Sequence, residues 1–401
     1  MQVDHRDQPV AHAALLSVTL AVVIRTAWMS NDATNTLRSA VNFIHGYGPV
    51  VHLNERVQYF AHPLWFLLIS AGTAIVGNAY AATFALSIIL SLVTMWLLIS
   101  RMASNFWAGI LAGAGLLLSK AYVDFSASGL ENPLAHFLLI AGVLAGLRSL
   151  RDAHRERFAT LSLTLLISIY LCRPEMLLAI APFCAVVLWR SHRTILETSK
   201  TIGIAIAPVV AWSIFSRVFY GAILPSLTTA KIAACFANTD NFRQGIVYLL
   251  DSFSVDPLTL TFVGIAVALS LSESIELKAL AAGIVAYLAY VVVTGGDTMS
   301  GRLLTVPLLT SAIILSRATL SLRGDAAVAV VFAILGSISC SSTIFAGPTY
   351  SANDVAIHGI RDERGVIFPH QGLANAWRGT FRQPDEWTPH PVNEGVKTAV
   401  K

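Results

Sequence analysis

The chain has 401 residues, 55% of them hydrophobic and only 12% charged, with a mean hydropathy of +0.66; soluble domains carry roughly 25% charged residues. That balance excludes a water-soluble globule, and at a net charge of +4 no nucleic-acid partner is expected. The apolar runs lack the period-two alternation of a barrel and suit a hydrocarbon core that takes about 20 residues per helix, so the fold class is an all-α polytopic membrane protein.

The first apolar run, 9 to 29, holds Arg25 and has no small-x-small cleavage site before Asn31, and so reads as a retained helix rather than a signal peptide. A polar stretch follows, with Asn31-Asp32, Arg38, Asn42, Glu55-Arg56 and the histidines His45, His52 and His62. The short run 63 to 77 reads as re-entrant or interfacial. Further apolar segments fall at 79 to 100, 105 to 120, 134 to 147, 158 to 172, 175 to 189, 201 to 219, 257 to 271, 278 to 294, 303 to 316 and 326 to 345, which with the first predicts a bundle of about 11 transmembrane helices. Residues 1–345 form the membrane domain on this reading. Residues 346–401, polar and marked by Trp377, Trp387 and several prolines, form a short extracytoplasmic tail that packs over the site or is partly disordered. Cys172, Cys184, Cys235 and Cys340 make no CxxC pair, so neither a disulfide framework nor a thiolate metal site is expected.

Charge placement orients the bundle. With 63 to 77 not spanning, Arg6, Arg101, Arg148, Arg151, Arg155, Arg157, Arg190, Arg193, Lys200, Lys278, Arg317 and Arg323 share one face in short loops, which the positive-inside rule makes cytoplasmic together with the amino terminus. The other face then collects Asn31-Asp32, the Ser128 to Asn132 loop, Arg173-Pro174-Glu175, the Tyr220 to Lys231 loop and the Gly295 to Arg302 turn.

Each cluster has a chemical and a plain structural reading. Asp32 is a candidate general base toward an acceptor hydroxyl, or a helix-start residue. Arg38, Arg56, Lys231 and Arg302 suit a lipid-linked phosphate, or ordinary headgroup anchoring. Arg173 and Glu175 flank a proline at membrane depth, where ionisable groups are costly enough to be functional candidates, or form a structural pair at a tight turn. Asp297 lies in a glycine-bracketed turn that admits close backbone approach to a ligand, or pairs with Arg302. Glu131 contacts a substrate hydroxyl, or sits at a helix start favoured by the dipole. The spacings of His45, His52 and His62 match no standard ligand pattern; a divalent metal is possible but not indicated, and no other cofactor is marked by the sequence.

Asn31-Asp32-Ala33 with Arg38, Asn42, Gly46-Tyr47-Gly48, Asn54, Glu55-Arg56-Val57 and Pro63-Leu64-Trp65 resembles the first-loop pattern of polytopic GT-C glycosyltransferases. Ser128-Gly129-Leu130-Glu131, Arg173-Pro174-Glu175, Tyr220-Gly221 with Leu224-Pro225 and Ala230-Lys231, and Gly295-Gly296-Asp297 with Met299, Gly301 and Arg302 extend the likeness over residues 25 to 310. Among these enzymes the chain resembles the terminal arabinofuranosyltransferases of actinobacterial cell walls. The resemblance implies a GT-C-like bundle, a polyprenyl-phosphate-linked sugar donor, an extracytoplasmic glycan or lipid acceptor, and the first-loop acid, here Asp32, as base. Two departures stand out: relatives often show two adjacent acids where this chain has Asn31-Asp32, and larger ones carry a longer soluble carboxy-terminal part.

The expected chemistry is an inverting displacement in which Asp32 takes the acceptor proton while Lys231 and Arg302 neutralise the departing polyprenyl phosphate. The alternative is a transporter or flippase of lipid-linked saccharide, a class marked by broken helices near the midplane and internal pseudo-symmetry; no second-half echo of the first half is visible in the sequence.

Overall fold

A computed structural model describes residues 7–151, 154–191, 194–223, 240–318, 322–338 and 358–373. Among them the regular structure is helical apart from an isolated parallel bridge between Met299 and Arg361. The helices are α1 (Asp7–Thr26), α2 (Asn31–Ile44), α3 (Pro63–Val76), α4 (Ala79–Leu97, prolonged by a π-helical turn Leu98–Met102), α5 (Phe106–Leu118), α6 (Lys120–Ser126), α7 (Asn132–Ser149) and α8 (Arg155–Ser168). Then come α9 (Leu177–Ser191), α10 (Ile195–Phe219), α11 (Asp240–Val255), α12 (Pro257–Ser270), α13 (Ile275–Thr294), α14 (Thr305–Arg317), α15 (Leu322–Ile338) and α16 (Glu363–Gln371).

Among the described residues five helical stretches are long and apolar enough to cross a bilayer: Pro9–Thr26, Ala79–Met102, Pro174–Ser191, Ile195–Phe219 and Ile275–Thr294. The number rises to seven if the bent pairs α5/α6 (77°) and α11/α12 (108°) each count as one span. These are candidate spans of a multi-pass membrane protein. The remaining apolar segments expected from sequence are helical too where they are described, the last of them to Ile338, but length and composition do not carry the count to the expected 11. α7 shows why: it is 18 residues long yet mostly buried inside the bundle, where Asn132 and His136 interrupt its apolar surface. The run 63 to 77 is the separate 14-residue helix α3, with Pro63 in its first turn.

The centre is packed by α7 against α8 and α4, and by α13 against α9. Small residues set that second crossing. A Cβ on Gly283 of α13 would stand 1.9 Å from the Ala179 carbonyl oxygen of α9, so the two backbones meet at glycine, as close helix pairs in membranes do. α7 and α14 both start in the polar loops where the charged residues gather, and both run away from them in the same sense.

Candidate active site

The site is assembled from helix starts. The first N–H groups of a helix lack intrahelical partners and together carry roughly half a positive charge, so oxygen-bearing side chains gather there. The Ser30 hydroxyl caps α2 by accepting the Asp32 N–H at 3.2 Å, which leaves the Asp32 carboxylate free of the capping role expected of it and pointing outward, 59% exposed. His62 and Glu131 immediately precede α3 and α7, each followed by a proline in the first turn. Arg173 precedes a 3-10 turn (Pro174–Met176) leading into α9, Arg302 opens the turn Arg302–Leu304 into α14, and Glu363 opens α16.

These residues converge around two guanidiniums. Arg302 Nη2 lies 3.3 Å from Glu131 Oε1, while its Nη1 lies 3.6 Å from Asp32 Oδ2 and 3.8 Å from Asp297 Oδ2. Arg173 Nε donates to Glu175 Oε1 at 2.7 Å, with Glu131 Oε1 at 3.7 Å and Asp297 Oδ2 at 3.9 Å from the same side chain. The distances separate the roles. A charge-assisted N–H···O bond closes to about 2.7–2.9 Å, so Arg173 is committed to Glu175, whereas Arg302 is held loosely by three acids. Arg302 Nε and Arg173 Nη1 are buried with no hydrogen-bond partner among the described residues. A loosely shared, incompletely bonded guanidinium can turn to an incoming anion at small cost.

Glu131 is fully buried. Burial alone would raise its pKa, but the charges of Arg302, His62 and Arg173 outweigh that and hold the carboxyl down to about 2. His62, buried between α2 and α3, is pushed below its ordinary value, first by burial and then by Arg302, against the pull of Glu131. Its Nδ1 faces Glu131 Oε2 at 3.3 Å and its Nε2 meets Thr36 Oγ1 at 2.7 Å.

The loops are locked by backbone contacts. Gly129 adopts φ +77, and a Cβ there would meet Met29 Sδ at 2.3 Å and Ala33 Cβ at 2.9 Å, so only glycine lets the 128–131 loop lie against the start of α2. Ser30 N–H then donates to the Ser128 carbonyl at 2.9 Å, and the Trp65 indole donates to the Gly129 carbonyl at 2.9 Å. On the opposite wall the Tyr248 hydroxyl donates to the Met299 carbonyl at 3.2 Å and accepts the Leu303 N–H at 3.1 Å, fixing the turn that carries Arg302.

Of the residues singled out from sequence, Asp32, Glu131, Arg173, Glu175, Asp297 and Arg302 form one connected cluster. Arg38 and Arg56 make no ion pair with it among the described residues; the exposed Arg56 instead lies over the Phe219 ring at 5.2 Å, and Arg38 is half-buried on α2. Lys231 lies outside the described residues. No group of three or more His, Cys, Asp or Glu able to hold a metal ion occurs among the described residues.

Two participants escape a sequence reading. His62 shows there only as a histidine without ligand spacing, although the proline after it marks a helix start. Glu363 shows no signal at all. It comes from the carboxy-terminal segment, where α16 docks on the site: Glu363 Oε1 accepts the Ser30 hydroxyl at 3.1 Å and the Asn31 N–H at 3.4 Å. Burial, and then the nearby Asp32 charge, raise its pKa above the ordinary carboxylate value. Residues 358–373 are therefore part of the wall, tied down by Arg361 N–H to the Thr298 carbonyl at 3.0 Å, Ser300 N–H to the Arg361 carbonyl at 3.0 Å and Arg364 Nη1 to Asp124 Oδ1 at 2.6 Å.

The chain is similar to the terminal beta-(1->2)-arabinofuranosyltransferase of Mycobacterium tuberculosis, at 30% identity over 265 residues, which take in 58% of this chain and 40% of that protein. It thus spans less than half the length of this relative. No family model matches.

Proposed function

We propose that this chain is a membrane glycosyltransferase of the GT-C type, moving a sugar such as arabinofuranose or mannose from a polyprenyl-phosphate donor to an extracytoplasmic glycan or lipid acceptor. The observation that carries the reading is the exposed Asp32 carboxylate standing 3.6 Å from a loosely held Arg302. An acid open to solvent beside a cation short of hydrogen bonds suits a reaction that removes a proton on one side and releases an anion on the other. The similarity to an arabinofuranosyltransferase supports the same class.

In the proposed step the acceptor O–H gives its proton to Asp32, and the acceptor oxygen forms a bond to the anomeric carbon from the face opposite the donor linkage. The bond between that carbon and the phosphate oxygen breaks with its electron pair, so the configuration inverts and polyprenyl phosphate leaves as an anion. Arg302 meets the charge that develops on it, with Lys231 as a second cation. Glu131 and His62 form the floor that keeps Arg302 in place, and Arg173, committed to Glu175, fixes the far wall.

The test is transfer by the purified full chain from polyprenyl-phosphate arabinofuranose or mannose to a glycan acceptor. Asp32→Asn is expected to lower the rate by about 10²–10⁴-fold, the usual contribution of a general base, with folding intact because the replaced carboxylate is exposed. Undiminished transfer by the variant would remove Asp32 as base. The bent pairs α5/α6 and α11/α12 are the feature that favours the transporter reading, since transporters build sites from broken helices. No transfer by the parent chain from either donor, together with movement of lipid-linked sugar across proteoliposomes, would decide for that alternative.

A further inference from the structure

At the other end of the bundle lies a second charged feature that the proposed chemistry does not use. An open pocket of about 270 Å³ is lined by Arg101, Arg148, Arg151 and Arg317 with Leu144 and Leu147. Its place follows from the helices. α7 begins beside Glu131 and carries Arg148 in its last turn, and α14 begins beside Arg302 and ends at Arg317. Eighteen residues of α7 span ~27 Å at 1.5 Å per residue, so the pocket lies roughly one hydrocarbon thickness from the polar cluster.

Basic residues at helix ends are ordinary partners of the dipole, so the charges must be counted. The ends of α4, α7 and α14 converge here, each worth roughly half a negative charge, which offsets less than half of four guanidiniums. No acid is among the described residues that line it. Glu276, whose charge reaches Arg317, is engaged by Arg190 at 2.5 Å. Two contacts make the pocket a built feature rather than a spray of side chains: Arg317 Nη1 donates to the Met102 carbonyl at 3.0 Å, and Ser104 N–H donates to the Ser316 carbonyl at 2.8 Å, so the end of α14 is fastened to the end of the π-helical turn that carries Arg101. At the rim Arg101 lies over Trp96 at 5.4 Å, and Trp96 and Trp107 are both exposed. Exposed tryptophans beside arginines at helix ends are the signature of the headgroup layer.

We infer that this four-arginine pocket binds a phosphate-bearing anion, and that its position among interfacial tryptophans suits the headgroup of an anionic phospholipid. Arg supplies planar, bidentate donors matched to phosphate, and the pocket, just below the about 300–1,000 Å³ of small-molecule sites, has room for a headgroup. The leucines on its inner side suit the first methylenes of an acyl chain.

The experiment uses the full chain in nanodiscs of phosphatidylcholine doped with phosphatidylglycerol, read by native mass spectrometry of retained lipid and by thermal unfolding. A parallel arm titrates inorganic phosphate into detergent-solubilised protein. Arg148→Gln/Arg151→Gln, exposed positions outside the polar cluster, is expected to bind phosphatidylglycerol at least about tenfold more weakly than the parent, with Arg148→Lys/Arg151→Lys in between. Phosphate binding lost in the glutamine variant, without lipid preference, would keep the site and assign it to a soluble anion. Equal retention of both lipids by parent and variant, with no phosphate binding by either, would overturn the inference. Circular dichroism of both variants shows whether the fold is kept, and if the glutamine pair does not fold, the lysine pair carries the comparison.

Discussion

Glu363 accepts the Ser30 hydroxyl at 3.1 Å across 333 residues of sequence, so the carboxy-terminal helix closes a wall that the first polar loop opens. The same contact brings a second carboxylate to the neighbourhood of Asp32, next to Asn31. Because burial and the Asp32 charge raise the Glu363 pKa, the folded state holds that proton more tightly than the unfolded chain does. The stabilisation from this proton is fully present below the unfolded value and is lost as pH rises through the raised folded value. Glu363→Gln keeps an acceptor for Ser30 and cannot ionise. The variant should gain stability relative to the parent as pH is raised from about 4 toward neutrality, measured as the difference in unfolding temperature across a pH series; a difference constant with pH would contradict the protonated role.

Glu131 shows the opposite sign. Its carboxyl is held at about 2 by Arg302, His62 and Arg173 against the cost of burial, so its stabilisation is present above the ordinary carboxylate value and disappears as pH falls toward 2. Glu131→Gln leaves Arg302 short of its shortest ion-pair partner and removes charge from beside Arg173. A loss of about 3–5 kcal/mol at neutral pH is expected, the usual cost of breaking a buried ion pair, and it should shrink as the pH drops below about 4.5. Chemical or thermal unfolding of parent and variant at pH 7 and pH 4 tests both the size and the sign.

The cluster was legible in the sequence because an apolar chain cannot leave ionisable groups unpaired. Glu131, Arg173, Asp297 and Arg302 stand in short loops between apolar runs, and burial obliges such groups to find one another. The bland readings also hold in part: Arg173 with Glu175 is the tight turn pair, and Asp297 does approach Arg302. Glu363 was not legible, since hydropathy marks its segment only as polar and nothing local ties it to Ser30. The span count was blurred for a related reason. Helices such as α7 and α14 are enclosed by protein rather than lipid, so their length and polarity answer to neighbouring helices, and apolar runs alone cannot divide buried helices from crossing ones.

Arg302 offers a kinetic test of the proposed division of labour. Arg302→Lys keeps the charge but loses the planar fork that reaches Glu131 and Asp32 from two nitrogens. If the guanidinium meets the developing phosphate charge, the lysine variant should lose about 10²-fold or more in kcat, as removal of one preorganised donor does, with a smaller change in KM. An effect confined to KM would mean that Arg302 binds donor ground state and transition state equally.

The carboxy-terminal helix is anchored by a second ion cluster, and its strength sets whether Glu363 stays in the wall. Arg364 is almost wholly buried and donates to Asp124 at 2.6 Å, while Lys120 pairs with Asp124 as well and reaches Asp362 at 3.1 Å. Arg364→Met removes one charge from this group and leaves Asp124 to Lys120 alone, which should cost about 3–5 kcal/mol. Adding Asp124→Asn to that variant removes the stranded acid but also takes a carboxylate from Lys120, so the double variant should recover only part of the loss. A double-mutant cycle on unfolding free energy measures this coupling, expected at about 1–3 kcal/mol for groups in direct contact. If α16 docks through this clamp, the same Arg364→Met variant should also expose residues 358–373 to protease and to hydrogen exchange, with the core helices α7 and α13 protected as before; unchanged protection of 358–373 would show that other contacts hold the helix.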